Sequence, residues 1–476
     1  MPSCEIGLIG LAVMGQNLAL NIAQHGFKIS VYNRTASKVD DTLTRAKNEG
    51  NLPVEGHKDL PSFIDSIAKP RKIILLVKAG PAVDKILDDV VPLLAKGDMV
   101  IDGGNEWFES TEARTTKMEA LGFKYLGMGV SGGEDGARYG PALMPGGSPD
   151  AYEALKPIVE KIAAQVEEGP CVSYIGPGGS GNYVKMVHNG IEYGDMELIA
   201  EAYDLLKRLG GLTNDDLNEV FKRWNQGELQ SFLIEITADI FTQVDEYDNH
   251  HRLIDKILDV AGSKGTGMWT VQEAARRGVP IPTIQSALDM RYISVFKKLR
   301  VDASRVFPKR PLATQDKERL IKDVQDALYC SKICSYAQGM ILLRVASDEQ
   351  KWNLNLAEIA RGWKGGCIIR AKFLDRIRSA FTKNKELQSL LLDESFAEEI
   401  KEREAGWRRV VSMAQQQGIP VAALSASLSY FDAASSDHLP LNLVQAQRDY
   451  FGAHTYKRID RTDGPHHTIW ARTTEL

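Results

Sequence analysis

The sequence lacks the features that mark disulfide-rich, zinc-binding or membrane proteins. Only 5 of its 476 residues are cysteines, and they are scattered along the chain. Cys330 and Cys334 are one helical turn apart, but neither has a partner cysteine or histidine at the spacing of a zinc site. No stretch approaches the ~18 consecutive apolar residues of a membrane-spanning helix. We therefore expect reduced thiols and a cytoplasmic protein without a membrane segment.

The net charge of the chain is negative, which argues against a general nucleic-acid binder. The formal net charge is -5, which still allows a local basic pocket for an anion. Charged residues make up 25% and hydrophobic residues 43% of the chain, as in ordinary globular proteins. A chain of 476 residues is too long for one core, which predicts two or three domains. Strand character begins by Cys4, so we expect no signal peptide.

The N-terminal pattern predicts a dinucleotide-binding fold. An apolar strand over residues 4–9 is followed by a glycine-rich turn, a helix to about residue 25 and a second strand over residues 27–32. The turn has the form G-x-A-x-x-G, which brings backbone N–H groups and a helix N-terminus to a pyrophosphate. A glycine motif alone is weak evidence, but this strand–turn–helix–strand context makes it specific. The turn consists of Gly10, Leu11, Ala12, Val13, Met14 and Gly15.

The residues that end the second strand predict which dinucleotide binds. They are Asn33, Arg34 and Thr35, at a place where an NAD site has an acidic residue for the ribose 2′-hydroxyl. The guanidinium of Arg34 can donate to a 2′-phosphate and can stack on adenine, whereas a carboxylate would repel that phosphate. An ordinary surface arginine is the alternative, but the position at the strand end favours NADP.

Three later strands also end in small or polar residues. Ligands of open α/β sheets bind beyond the carboxyl ends of the strands. Asn105 can hydrogen-bond a hydroxyl, and Ser131 with the N–H groups of Gly132 and Gly133 can form an anion nest. No cluster of aspartates suited to Mg2+ or Mn2+ is present, so we expect no metal site. The strands are predicted over residues 72–77, 99–102 and 124–130, and the first ends at the cofactor candidates Val77, Lys78 and Ala79.

A predicted long helix carries four polar side chains on one face. Lys185, His188, Asn189 and Glu192 fall at positions i, i+3, i+4 and i+7. A base and an acid at the two ends of such a stripe would flank a small substrate that lies along the helix. A solvated helix face is the alternative for the stripe taken by itself. The glycines at 190 and 194 each cost about 1 kcal/mol against alanine, so we expect another element to pack closely there.

The region after residue 181 is helical in pattern and contains an internal repeat. Matches recur at an offset of 137 residues and then, after a two-residue slip, at 139. At the first offset Lys185 recurs as Lys322, whereas Glu192 is replaced by Tyr329. We therefore interpret the first copy as chemical and the second copy as structural.

Further basic residues lie outside the stripe. Lys264 stands in a glycine-rich interruption of the helices, and Arg291 lies in a helix predicted from about residue 284; solvated basic residues are the alternative for both. The last ~40 residues carry Arg448 and His454 but have too little apolar periodicity for a core of their own. We expect this tail to dock on its own subunit or on a neighbour, with Trp470 as an anchor.

Taken together, these motifs resemble the decarboxylating 6-phosphogluconate dehydrogenase family. The resemblance covers essentially the whole chain and implies a homodimer whose tails reach the partner subunit. It implies a Rossmann-type α/β domain that binds NADP over residues 1–178, an all-α domain with the repeat over 179–437 and an extended tail over 438–476. The motifs that carry it lie at 10–15, 33–35, 77–80, 102–105, 130–134, 185–193 and 264–267, with Arg448 and His454 in the tail.

The resemblance also implies a role for each motif residue. Lys185 would be the proton acceptor and Glu192 the proton donor in the oxidative decarboxylation of 6-phosphogluconate. Asn105 would contact both cofactor and substrate. The other substrate contacts would be Ser131, Gly132, Gly133, His188, Asn189, Tyr193, Lys264, Arg291, Arg448 and His454.

Two other functions remain alternatives at this point. A non-decarboxylating 3-hydroxyacid dehydrogenase would share the glycine turn and a helical lysine, but it would not need the repeat, Lys264 or the tail. A non-enzymatic NADP-sensing protein would keep residues 10–35 but would have no reason to keep Lys185 and Glu192 in register.

Overall fold

A computed structural model describes residues 3–308 and 315–470 of the chain. The structure divides into two compact units, residues 1–427 and residues 428–476, which we describe separately. The first unit contains a seven-stranded sheet followed by a long series of helices.

The sheet has the order β3-β2-β1-β4-β5-β6-β7, and every strand is parallel to its neighbours except β7, which runs antiparallel to β6. Apolar runs such as Ile6–Ile9 are buried on both faces, as parallel strands covered by helices must be. A separate two-stranded hairpin, β8 and β9, follows the sheet. The strands are β1 Ile6–Ile9, β2 Ile29–Tyr32, β3 Val54–His57, β4 Lys72–Leu75, β5 Met99–Asp102, β6 Lys124–Val130, β7 Leu143–Gly147, β8 Gln165–Val166 and β9 Gly169–Pro170.

Seven helices alternate with the strands of this sheet. They cover two apolar cores, one on each face of the sheet. The chain order β1–α1–β2 places the glycine turn at the carboxyl end of β1, as the sequence predicts. The helices are α1 Val13–Gln24, α2 Ala36–Asn48, α3 Leu60–Asp65, α4 Pro81–Val90, α5 Phe108–Ala120, α6 Gly133–Tyr139 and α7 Pro149–Ile162.

The helices that follow occur in two similar series. Each series opens with an unusually long helix, α8 or α14, and these two helices pack against each other. The first residues of α8 and α14, Ser180 and Lys317, lie 137 residues apart, which is the offset of the sequence repeat. The helices are α8 Ser180–Gly210, α9 Asn214–Asn225, α10 Phe232–Thr242, α11 Thr266–Arg276, α12 Pro282–Val295, α13 Lys297–Val306, α14 Lys317–Gln350, α15 Leu356–Gly362, α16 Phe373–Lys383, α17 Glu394–Gln416 and α18 Ala422–Ala434.

The tail is not extended throughout, in contrast to the expectation for residues 438–476. Residues Leu441–Gly452 form helix α19, and the chain then folds back on it. The carboxylate of Asp449 accepts hydrogen bonds from the Thr455 and Thr468 amides, at 2.9 and 3.1 Å, and from the Trp470 indole at 2.9 Å. A polar cluster on one carboxylate therefore closes this segment in place of an apolar core. The last six residues, 471–476, lie outside the described residues.

Some element boundaries differ from the sequence prediction. The first strand begins at Ile6, because Cys4 forms only an isolated bridge to Ile67. Two strands of the seven-stranded sheet were not predicted: β3 is a partly buried edge strand with the polar sequence VEGH, and β7 contains Pro and two Gly. The short strands β8 and β9 were not predicted either. All five cysteines are free and buried, in agreement with the expectation of reduced thiols. Among the described residues, no helix is long and apolar enough to span a bilayer.

Candidate active site

Helix α8 places the polar stripe against the carboxyl end of the sheet. Lys185 packs on β6, where Gly129 leaves room for it: a Cβ at residue 129 would lie 2.5 Å from the Cβ of Lys185. The ammonium group donates to Ser131 Oγ at 3.0 Å and to Asn189 Oδ1 at 2.9 Å. The lysine is 5% exposed, so these two bonds hold it in a nearly dry environment.

The surroundings of Lys185 favour its neutral form. Burial lowers the pKa of the ammonium below its ordinary value, and the Glu192 carboxylate opposes this shift only in part. Both hydrogen-bond partners of Lys185 are neutral side chains, so no ion pair in direct contact holds the proton on. A lysine with a lowered pKa at the carboxyl end of the sheet can act as a general base.

The next turn of the stripe orients Asn189. His188 Nδ1 lies 3.0 Å from Asn189 Oδ1, and the Asn189 amide donates to Thr266 Oγ1 at 3.2 Å. Burial and the neighbouring Lys185 hold the pKa of His188 well below its usual range, so the ring is neutral. His188 Nε2 is buried and has no partner among the described residues, which leaves it available to a substrate hydroxyl. The His188 ring lies edge-on to Trp363, with centroids 5.4 Å apart.

Glu192 stands at the far end of the stripe. Burial raises the pKa of its carboxyl above the ordinary value, while the positive charges of Lys185 and Arg291 act in the opposite direction. The net shift favours the protonated acid. Lys264 also acts electrostatically on this carboxyl, although its own side chain is exposed. The stripe therefore has a lysine that can act as a base at one end and a glutamate that can act as an acid at the other.

A cationic group covers the ring of Tyr193. The Arg291 guanidinium lies 3.5 Å from the ring centroid, and the Tyr193 hydroxyl lies 3.1 Å from Ser263 Oγ. Gly267 allows the ring to approach the start of α11, because a Cβ there would lie 2.5 Å from the ring carbons. These contacts bring the Lys264 loop, Tyr193 and Arg291 together beside Glu192.

The two glycines of the stripe helix do lie against closely packed elements, as expected. A Cβ at Gly190 would lie 2.5 Å from Thr270 Cγ2 on α11, and a Cβ at Gly194 would meet Ser335 Oγ on α14. Alanine at either position would push α8 away from its neighbours. The cost of glycine in a helix is thus offset by close helix packing.

The predicted anion nest follows β6. Gly132 and Gly133 have φ values of 107° and 63°, and Ser131 is 2% exposed. The left-handed backbone turns N–H groups of this segment to one side, the arrangement of an anion-binding nest. The next strand end lies close to the same helix, since the Asn182 amide on α8 donates to Gly104 O at 3.3 Å. Asn105 is exposed beside this contact.

The glycine turn fits a dinucleotide. A Cβ at Gly10 would clash with the backbone of Leu76, just after β4, and one at Gly15 would clash with Gly10 O, so Gly15 allows α1 to approach β1 closely. Asn33 Oδ1 accepts a hydrogen bond from the Leu11 amide at 2.9 Å. This bond ties the turn to the end of β2.

A cavity of about 430 Å³ opens beside this turn. Arg34 and Lys78 bring positive charge to it, while Leu60 and Ile86 give it an apolar wall. An apolar slot beside cations suits an adenine ring with a phosphate. The predicted cofactor residues that line the cavity are Gly10, Asn33, Arg34, Thr35, Val77 and Lys78.

The two remaining predicted residues lie in the second unit. Arg448 is exposed on α19 and donates to Gln445 Oε1 at 3.1 Å. His454 is exposed just after the helix, with its ring 6.0 Å from that of Phe451. Both side chains are therefore available for a ligand or a partner.

Sequence reasoning missed several residues around the stripe. Thr266 and Trp363 contact Asn189 and His188, and Asp195 extends the stripe by one turn into a buried ion pair with Lys332. The position of Asp195, three residues after Glu192, and the place of Thr266 within the 264–267 motif gave a signal in the sequence. The contacts of the others depend on tertiary packing.

Two family models together cover nearly the whole chain. Residues 5–176 match the NAD binding domain of 6-phosphogluconate dehydrogenase. Residues 181–470 match the C-terminal domain of 6-phosphogluconate dehydrogenase. The chain belongs to the 6-phosphogluconate dehydrogenase family. This membership confirms the resemblance and the predicted fold class, a Rossmann-type domain followed by a large helical domain.

Individual 6-phosphogluconate dehydrogenases are similar over their full lengths. The chain is 60% identical over 475 residues to 6-phosphogluconate dehydrogenase, decarboxylating 1, of Spinacia oleracea, with 98% of each chain covered. It is 56% identical to the decarboxylating 6-phosphogluconate dehydrogenase of Synechococcus elongatus, covering 98% of this chain and 99% of that one. The solved structure of the Plasmodium falciparum 6-phosphogluconate dehydrogenase is 55% identical, with a TM-score of 0.95 over 98% of this chain and 100% of that chain. That enzyme was solved in its apo form, with its cofactor NADP+ and with its substrate 6-phosphogluconate.

Proposed function

We propose that this protein oxidises and decarboxylates 6-phospho-D-gluconate to ribulose 5-phosphate and CO2 with reduction of NADP+, the oxidative branch of the pentose phosphate pathway. It is an NADP-dependent decarboxylating dehydrogenase. The observation that carries the residue assignment is the pair at the ends of the α8 stripe. Lys185 has a pKa lowered by burial, and Glu192 has a pKa raised by burial. One side chain is thus ready to accept a proton and the other to donate one.

Lys185 starts the reaction as the general base. Its neutral amine takes the proton of the substrate 3-hydroxyl as C3 is oxidised, and bound NADP+ supplies the hydride acceptor. The product of this step is a 3-keto acid whose carbonyl is β to the carboxylate. The Lys185 ammonium then stabilises the negative charge that develops on the carbonyl oxygen when CO2 leaves. Ser131 and Asn189 hold the Lys185 side chain in place for both steps.

Glu192 completes the reaction as the general acid. Loss of CO2 leaves an enediol, which needs a proton at the carbon that becomes C1 of ribulose 5-phosphate. Glu192, two helical turns from Lys185, donates this proton from its partly buried carboxyl. The two proton transfers therefore belong to different residues and can be measured separately.

The substrate is fixed at both ends. We assign its carboxylate to the nest of Ser131, Gly132 and Gly133, and its hydroxyls to Asn105, His188 and Asn189. We assign its phosphate to the cations beside Glu192, because Arg291 and Lys264 lie together with the Tyr193 hydroxyl. Fixing both ends holds C3 and its hydroxyl at the stripe.

The cofactor residues follow from the glycine turn and the cavity beside it. The turn from Gly10 to Gly15 holds the pyrophosphate, and Asn33, Arg34 and Thr35 hold the 2′-phosphate and the adenine. We assign Val77, Lys78, Ala79 and Asn105 to the part of the cofactor between this cavity and the stripe. Arg34 is exposed at the cavity, so its guanidinium is available to the 2′-phosphate.

The tail completes the site of a partner subunit in a homodimer. Arg448 and His454 are exposed on a segment closed by polar contacts, and exposed apolar residues such as Phe451 give that segment a surface to bury. The test mixes Lys185→Ala and Arg448→Ala variants under subunit exchange. A mixed dimer then has one site with both defects and one intact site, so each mixed dimer regains activity toward half that of a wild-type dimer. If mixing restores nothing while exchange is confirmed, the tail serves its own subunit.

The domain boundaries and the location complete the proposal. We place the division between the NADP-binding and helical domains at residues 178 and 179, just before α8 begins at Ser180. The tail begins at residue 438, between α18 and α19. Five free, buried cysteines support the cytoplasm, while some plant relatives are named as chloroplastic enzymes.

The activity has a direct test. The purified protein is mixed with NADP+ and 6-phosphogluconate in EDTA, and NADPH and CO2 are both measured. Equal amounts of the two products are expected. NADPH without CO2 would indicate a non-decarboxylating hydroxyacid dehydrogenase, and neither product would indicate a protein that only binds NADP.

A further inference from the structure

The two long helices meet at positions that the sequence repeat makes equivalent. Asp195 on α8 and Lys332 on α14 are 137 residues apart, the offset that relates Lys185 to Lys322. Lys332 Nζ donates to Asp195 Oδ2 at 2.6 Å, and the two side chains are 4% and 2% exposed. The second copy of the repeat thus places a buried cation against the helix that carries the catalytic stripe.

Asp195 lies one helical turn beyond Glu192. Residues three apart on a helix are neighbours on its surface. Besides burial, the negative charge of Asp195 also raises the pKa of Glu192, so the two carboxyl groups are within electrostatic reach of each other. Any movement of Asp195 therefore affects the proposed acid.

The hydroxyl of Tyr336 links Asp195 to a different part of the site. It lies 3.2 Å from Asp195 Oδ2 and 3.2 Å from Ile369 O, and the side chain is fully buried. Ile369 belongs to the connection between α15 and α16. Tyr336 and Lys332 are one turn apart on α14, so one face of that helix holds both contacts.

The same connection supports the nest. Gly366 O accepts a hydrogen bond from the Ala142 amide at 2.7 Å, and Ala142 O accepts one from the Ser131 amide at 3.0 Å. Ser131 Oγ in turn accepts from Lys185 at 3.0 Å. A continuous series of contacts therefore runs from α14, through the connection, to the proposed base.

We propose that Tyr336 and Lys332 are positioning residues for the decarboxylation. They hold Asp195 and the connection around Gly366 at a fixed separation, and so fix helix α8, with Lys185 and Glu192, against the Ser131 nest. This inference rests on the proposed function, because it takes Lys185 as the base and Glu192 as the acid. The second copy, expected to be only structural, then supports the proton transfers of the first.

The test compares two tyrosines of α14. Tyr336→Phe removes the linking hydroxyl, and Tyr329→Phe removes a second buried hydroxyl, which contacts the Glu399 carboxylate instead. Both substitutions delete one oxygen and should lower the Tm by similar amounts. Tyr336→Phe is expected to lower kcat about tenfold or more, because misplacement of a catalytic group is costly, and Tyr329→Phe to leave kcat within about twofold. The KM for NADP+ should stay unchanged in both.

A second measurement isolates the acid. In heavy water, the wild-type enzyme should exchange the C1 hydrogen of ribulose 5-phosphate for deuterium. The C1 proton moves to Glu192 while the C2 carbonyl oxygen gains a proton from the Lys185 ammonium, which forms the enediol. The enediol then returns to ribulose 5-phosphate with a deuteron from the solvent at C1. NMR follows the loss of the C1 proton signal. Tyr336→Phe should slow the exchange by the same factor as kcat.

The outcomes separate this inference from the function on which it rests. If wild type neither turns over 6-phosphogluconate nor exchanges C1, the proposed function fails. If wild type does both and Tyr336→Phe retains its rates while losing Tm, the hydroxyl is only structural and the inference is overturned. Should Tyr336→Phe fail to fold, Lys332→Met compared with Lys322→Met gives the same decision, with loss of kcat and exchange expected only for Lys332→Met.

Discussion

Gly129 offers a substitution whose effect follows from a distance. Gly129→Ala would place a Cβ 2.5 Å from the Cβ and 2.7 Å from the Cγ of Lys185. Ordinary carbon contacts are about 3.5–4.0 Å, so the lysine or strand β6 has to move by roughly 1 Å. The Lys185 hydrogen bonds to Ser131 and Asn189, at 3.0 and 2.9 Å, would not survive a shift of that size unchanged.

The expected loss of activity is large and the expected loss of stability is moderate. A misplacement of about 1 Å costs on the order of 10²-fold in rate. Overpacking costs about 1–3 kcal/mol, which a domain with roughly 5–15 kcal/mol of stability tolerates. The assay measures kcat by NADPH formation, NADP+ affinity by calorimetry and the free energy of unfolding in urea. NADP+ affinity should be unchanged, because Lys185 lies outside the cofactor cavity.

The matched control is Gly362→Ala. A Cβ at Gly362 would meet nothing within 4 Å, so kcat should stay within about twofold of wild type. A folded Gly129→Ala enzyme with wild-type kcat would refute the reasoning, because the position of Lys185 would then not limit the rate.

The remaining predictions concern the stripe, the cofactor and the pH dependence. Lys185→Ala and Glu192→Ala should each lower kcat by ~10²–10⁴-fold with the fold intact. Lys322→Ala, in the second copy, should leave kcat nearly unchanged. Circular dichroism checks the fold of each variant, and steady-state rates give its kcat. Replacing Arg34 by a neutral residue should raise the Kd of NADP+ far more than that of NAD+, and equal losses would exclude a contact with the 2′-phosphate. Lys185 must lose its proton before it can act as a base, and burial lowers its pKa below the ordinary lysine value of 10.5. The increase of kcat/KM with pH should therefore be centred below pH 10.5. The rate of NADPH formation in the first turnover should increase with pH for the same reason. Because the Glu192 carboxylate raises the pKa of Lys185, Glu192→Gln should shift that increase to lower pH.

Patterns in the sequence predicted those parts of the site that lie within a single short segment of the chain. The glycine turn, the end of β2 and the four polar positions of α8 each lie within one short stretch, where residue spacing fixes geometry. The close packing at Gly190 was also predictable, because glycine inside a helix is costly without such a neighbour. The family resemblance supplied the roles of residues that are far apart in the sequence.

Contacts between distant segments could not be predicted in this way. Nothing near Asp195 indicates that Lys332 faces it, because that contact depends on how α8 and α14 cross. The role of Gly129 is equally hidden, since a glycine in a strand has many explanations. Antiparallel β7 was missed because its sequence, LMPGG, has low strand propensity and is held by pairing with β6. Helix α19 was missed because its apolar residues, such as Phe451, are exposed and its one buried residue is Asp449.

A single-turnover experiment tests the division of labour between Lys185 and Glu192 most directly. Glu192→Gln and Lys185→Ala enzymes, each in excess over 6-phosphogluconate with NADP+, are quenched rapidly, and NADPH, CO2 and ribulose 5-phosphate are measured. Glu192→Gln should form NADPH and CO2 in the first turnover at close to the wild-type rate but release ribulose 5-phosphate slowly, while Lys185→Ala should form none of the three at a comparable rate. Equal loss of first-turnover NADPH in the two variants would contradict the assignment of Glu192 to the final proton transfer.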